Sequence, residues 1–177
     1  MKKTGEFLRK HPVSTIFAVL TAVVLYIIFA FSAQSGEESS AVSSGVSRFI
    51  AELIVSGFDA LSDIEREAKI GQLIPIVRKV AHFSVFCALG FCSNLCLHSF
   101  HKENGKKTRF ATNIWAVAFC LFYAMTDEFH QLFIPDRNGN FIDVLIDFSG
   151  SVLGIVVAVL LFVLVVRYCE KKKKVRG

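Results

Sequence analysis

Four long apolar blocks divide this chain, at 13–31, roughly 80–100, roughly 110–134 and roughly 141–166. A helix crosses the hydrocarbon core of a bilayer with about 20 apolar residues, so each block is long enough to span. The four blocks take up about half of the 177 residues. The hydrophobic fraction of 53%, with 18 Phe, exceeds that of a soluble domain, which sits near 45–50% even when Gly is counted as apolar. Disorder, a disulfide-rich secreted miniprotein and an ordinary soluble enzyme are excluded. The expected fold is all-α: an integral membrane four-helix bundle forming a single transmembrane domain over 1–177.

Charge sets the expected orientation. Segment 1–12 carries Lys2, Lys3, Arg9 and Lys10 against Glu6, and 101–109 carries Lys102, Lys106, Lys107 and Arg109 against Glu103. Segment 167–177 has six basic residues against Glu170, whereas 32–77 has seven acids against Arg48, Arg66 and Lys69. Positive segments stay cytoplasmic. Both termini and the 101–109 loop are therefore expected inside a bacterial cell membrane, with 32–77 and the 135–140 turn outside. The first block, preceded by basic residues and followed by Ala30-Phe31-Ser32, also resembles a signal peptide. At 19 residues the block is long for a signal core, so it is read as a retained span. The net charge of +5 is spread around the spans, with no basic stripe carrying interleaved aromatics, so no nucleic-acid partner is expected.

The first outer loop is not featureless. Val42, Val46, Phe49, Ile50, Leu53 and Ile54 recur at helical spacing, which predicts a short amphipathic helix over 39–56, lying on the surface or packed over the bundle mouth. Ser62, with Glu65 three residues on, predicts a capped start for a second short helix near 62–73. The five cysteines fall in spans or on the inner side, so small apolar filler is their expected role. Cys92 and Cys96 share a face but have no third ligand.

Ionisable residues inside spans are costly and usually face the bundle interior. Here they collect at one end. The second span opens with Arg78, Lys79 and His82; Arg78 and His82, four apart, share a face. The third closes with Asp127, Glu128 and Gln131, followed by the turn residues Pro135, Asp136 and Arg137. The fourth opens with Asp143 and Asp147, and that stripe continues through Gly150 and Gly154, which would admit a close neighbour. At about 1.5 Å per residue, Asp147 lies one turn below Asp143. Arg78, Lys79, His82, Asp127, Glu128, Gln131, Arg137, Asp143 and Asp147 are thus expected to line one polar pocket in the outer half of the bundle. Gln34 and Ser35 reach the same level. His130 is expected to face headgroups, His98 looks incidental, and Asn94 and Asn113 have no evident partner.

Three stretches resemble the VanZ-like family of small bacterial membrane proteins: FSAQSGEESSAVS (31–43), RKVAHFSVFCALG (78–90) and DEFHQLFIPDRNGNFIDVLIDFSGSVLG (127–154). Asp136 stands where that family usually has glycine, and Arg137 keeps its place. The resemblance implies a multi-pass envelope protein, in a family whose namesake is associated with resistance to the glycopeptide teicoplanin.

Several functional readings stay open. In the first, the pocket binds the anionic headgroup of an envelope lipid or lipid-linked precursor, with Arg78, Lys79 and Arg137 on phosphate and the carboxylates orienting them. In the second, the protein is an enzyme acting on such a lipid, with His82, Glu128 or Asp127 as the candidate catalytic groups. Ser35, Ser84 and Ser149 lack the partners a nucleophile needs. No cofactor and no metal site are assigned, although carboxylates with His82 could hold a divalent cation. A purely structural network, in which the charges neutralise one another and fix helix register, is the alternative to both. Transport is disfavoured because the other halves of the spans are almost wholly apolar.

Overall fold

Pro12 opens the first helix, where its missing N–H falls on a position that has no helical acceptor anyway. In the computed structural model, which describes residues 12–100 and 106–176, this helix is α1, Pro12–Ser32. A capping box starts α2, Gly36–Ile54: the Glu38 N–H donates to Ser35 Oγ at 3.1 Å and the Ser35 N–H to the Glu38 carboxylate at 2.9 Å. A 3₁₀ turn at Phe58–Ala60 leads to α3, Asp63–Phe100. Then follow α4, Lys106–Gln131, and α5, Phe141–Arg176. Helices α1, α3, α4 and α5 are each long and apolar enough to cross a membrane, and no strand occurs among the described residues. The basic segments 1–11 and 101–105 lie outside the described residues.

Two features of the first loop differ from expectation. The short helix expected near 62–73 does have its cap: the Ser62 N–H donates to the Glu65 carboxylate at 2.9 Å. It does not stop, however, but runs through Pro75 into the second span as one 38-residue helix. An interior proline costs about 3 kcal/mol. Ile70, packed with Ala51 and Phe58 and flanked by Leu73 and Ile74, helps offset that cost. At about 1.5 Å per residue α3 is roughly 57 Å long, nearly twice the hydrocarbon thickness, so its first part projects beyond the apolar block. Helix α2 lies along that projection, with Arg48 paired to Glu67 at 2.9 Å. Its buried residues are small, namely Gly36, Ser39, Ser47 and Ala51. The apolar stripe Val42, Val46, Phe49 and Leu53 points outward. The amphipathic helix is therefore present with its apolar side away from the bundle, because only small side chains let it approach α3 this closely.

In the bundle, Phe86 and Leu89 of α3 meet Ile28 of α1, Ala116, Cys120 and Ala124 of α4, and Val144 and Ile155 of α5. Away from the polar end, Asn94 Nδ2 donates to Asn113 Oδ1 at 3.0 Å, and His98 Nε2 stands 2.8 Å from the same oxygen. Asn94 and Asn113, without an evident partner in the sequence, thus meet His98 between α3 and α4, although Asn94 Oδ1 and His98 Nδ1 make no hydrogen bond among the described residues. The four described cysteines are free.

Helices α3 and α5 touch along glycines. A Cβ on Gly150 would collide with the Phe83 carbonyl, one on Gly154 with the Cys87 carbonyl, and one on Gly90 with the Ser151 carbonyl. Backbone against backbone is the small-xxx-small mode of membrane helix association. The residue pairs 83–150 and 87–154 ascend together, so α3 and α5 run parallel. The turn between α4 and α5 is tight, and Asp136 takes the left-handed conformation with φ 57°. Asp and Asn are tolerated there more readily than other non-glycine residues.

Two contrasts test these points. Gly154→Val should destabilise the detergent-solubilised protein by about 1–3 kcal/mol or more. Gly45→Ala, at a helix position with open space, should stabilise it by roughly 0.5–1 kcal/mol. At the turn, Asp136→Gly should leave stability within about 0.5 kcal/mol, whereas Asp136→Val should cost at least about 1–2 kcal/mol. Thermal or denaturant unfolding followed by circular dichroism reads all four.

Candidate functional site

The glycine contact fixes what stands opposite what at the polar end. With Gly150 against Phe83, Asp143 comes level with Lys79 and Asp147 with His82. Lys79 Nζ bonds Asp143 Oδ1 at 2.6 Å, half exposed at the rim. One turn deeper, His82 Nδ1 lies 3.7 Å from Asp147 Oδ2, too long for a hydrogen bond. Asp147 is buried, and its Oδ2 accepts no hydrogen bond.

Helix α4 brings Asp127, Glu128 and Gln131, all buried. Gln131 Nε2 donates to Asp127 Oδ2 at 3.0 Å. The backbone N–H of Asn140 donates to Glu128 Oε2 at 2.9 Å, which ties the carboxylate to the start of α5. Arg137 turns inward and donates three ways: Nη1 to Gln131 Oε1 at 3.3 Å, Nη2 to the Phe31 carbonyl at 3.0 Å and Nε to the Gln34 carbonyl at 3.2 Å. The last two acceptors lie at the end of α1 and just beyond it, so this side chain closes the turn onto a third segment. Gln34 thus reaches the site through its backbone, while Ser35 is used in capping α2.

Between these elements is a cavity of about 270 Å³ lined by Pro75, Arg78, Lys79, His82, Glu128, Gln131, Asp136, Arg137, Asn138, Asp143, Ile146 and Asp147. Eight of the nine residues singled out from the sequence are in this lining. The ninth, Asp127, sits behind Gln131 with ligand-type atoms within 4.8 Å of those of His82 and Asp147. Pro75, Asp136, Asn138 and Ile146 also line the cavity and were not singled out. The signal for Asp136 and Asn138 was their place on either side of Arg137. His130 is not in the lining; it stacks on Phe29, with ring centroids 5.2 Å apart.

The electrostatics are unbalanced. Lys79 has its carboxylate. Among the described residues, Arg78 and Arg137 have none within ion-pair distance, although both face the cavity. Burial, and after it the charge of Arg78, push the Arg137 pKa below its ordinary value; the guanidinium remains charged all the same. The site thus offers two guanidinium groups that repel each other, one ion pair at the rim, and a His–Asp–Asp group on the inner wall.

Residues 17–163 match the family model described as VanZ/LLP1. No curated protein and no solved structure matches the chain. The family match spans well over half of the chain and includes every residue of the cavity; the chain belongs to the VanZ/LLP1 family and is a helical membrane protein of VanZ type.

Proposed function

We propose that the cavity binds the anionic headgroup of an envelope lipid or lipid-linked precursor, on the extracytoplasmic side of the bacterial membrane. The observation that carries this reading is the pair Arg78 and Arg137, which line one cavity with no carboxylate within ion-pair distance of either among the described residues. Two like charges held together at low dielectric are unfavourable, and an anion placed between them removes that repulsion. Guanidinium groups offer planar, forked donors that suit phosphate oxygens. Lys79, held by Asp143, and Asn138 stand at the rim, where sugar or amine groups of a headgroup would lie. The excess of positive charge in 1–12, 101–109 and 167–177 supports the assigned side. Altering the lipid surface at which lipid-tailed glycopeptides act would then modulate teicoplanin susceptibility.

Chemistry on such a headgroup is the second reading. It is favoured by the imidazole of His82 beside buried carboxylates in the cavity wall. Turnover of a lipid phosphate by the purified protein, lost in Glu128→Gln, would raise it above binding alone.

Among the described residues the Arg78 side chain makes no hydrogen bond, so Arg78→Ala tests the reading with little disturbance of the fold. A hydrogen bond to a charged group is worth about 1.5–3 kcal/mol, so the variant should retain phosphatidylglycerol roughly tenfold or more less tightly in native mass spectrometry. Retention of phosphatidylcholine should not change, and Arg78→Lys should recover part of the loss. Equal phosphatidylglycerol retention by wild type and Arg78→Ala would remove the proposal.

A further inference from the structure

We infer that His82, Asp127 and Asp147 form a binding site for one divalent transition-metal cation, of the Mn²⁺ or Zn²⁺ class, at the inner end of the cavity, with His82 and Asp147 in its lining and Asp127 just behind it. Each residue comes from a different helix: His82 from α3, Asp127 from α4 and Asp147 from α5. One potential ligand atom from each lies within 4.8 Å of the others. Metal bonds of about 2.0–2.2 Å require ligand atoms roughly 3–4 Å apart, so a side-chain adjustment of less than about 1 Å closes the set.

The second observation is Asp147 itself. Its side chain is 3% exposed, and its Oδ2 has no hydrogen-bond donor. His82 Nδ1 stands 3.7 Å from it. A carboxylate oxygen buried without a partner costs free energy, and here it points at two other metal-type ligands. A cation in that gap satisfies all three groups at once.

The surroundings also resemble those of a metal ligand set. Asp127 is oriented by Gln131 Nε2, and Gln131 is held in turn by Arg137. Hydrogen bonding of this kind fixes the carboxylate's direction. One imidazole with two carboxylates is a mixed nitrogen–oxygen set, which suits Mn²⁺ or Zn²⁺ better than Mg²⁺ or Ca²⁺. Three protein ligands leave further positions open toward the cavity, where water or a phosphate oxygen can complete the sphere. The site shares no side chain with the Arg78 and Arg137 pair, so either reading can fail alone.

The test uses tag-free, full-length protein in nanodiscs, stripped with EDTA and dialysed against Mn²⁺ or Zn²⁺ alone. Wild type should retain about one ion per chain, as structural and catalytic sites do. Asp147→Asn and Asp127→Asn, checked for fold by circular dichroism, should bind at least tenfold more weakly, and Gln131→Ala about 10–100-fold more weakly. Arg78→Ala should bind the ion as wild type does, even where it loses phosphatidylglycerol. With Mn²⁺ bound, pulsed electron paramagnetic resonance should show coupling to one imidazole nitrogen that His82→Gln removes. Failure of wild type to retain either ion overturns the inference. So does retention undiminished in folded Asp147→Asn. If the variants do not fold, Mn²⁺-loaded wild type without nitrogen coupling overturns it on its own.

Discussion

The direct contact of the α3 and α5 backbones organises the rest of the molecule. Lipid tails are as apolar as leucine, so no hydrophobic force drives helices together within a bilayer, and close approach must come from small residues. Gly90, Gly150 and Gly154 supply it. Once the Phe83 and Cys87 carbonyls rest on glycine, the register of the two helices has no freedom left. That register sets Lys79 opposite Asp143 and His82 near Asp147. The polar end is then an outcome of apolar geometry a few residues away.

The charges at that end do not simply cancel. A network serving only to lock helices would pair each cation with an anion, since an uncompensated buried charge is strongly destabilising. Lys79 and Asp143 follow that rule. Arg137 satisfies its donors on backbone carbonyls and an amide, Glu128 accepts from a backbone N–H, and Asp147 Oδ2 is left without a donor. Apart from Lys79 and Asp143, the charged groups of the cavity thus form no hydrogen-bonded ion pair with one another among the described residues, and this favours the proposed binding reading over a purely structural network.

Much of this was legible in the sequence because it follows from length and period. Spans of about 20 apolar residues, and carboxylates four apart on one face, leave few ways to arrange Asp127, Asp143 and Asp147. What stayed hidden depended on partners without a sequence signature. The acceptors of Arg137 are carbonyls of residues 31 and 34, which any side chain would provide. Asn94, Asn113 and His98 find one another only once α3 and α4 are packed. In α2, periodicity located the apolar stripe, but the buried face was chosen by smallness, because Ser47 and Ala51 let the helix approach α3. Continuity through Pro75 was equally hidden, since local propensity argues for a break there and tertiary contacts override it.

The fork of Arg137 reaches from its turn to α1, the segment just past α1 and the end of α4, with donors spread in one plane in three directions. An ammonium at that place would keep the positive charge but could not reproduce the planar spread, because its three hydrogens radiate from a single atom. Shape more than valence thus dictates the side chain at this corner, so lysine is no conservative replacement there whatever ligand the cavity takes.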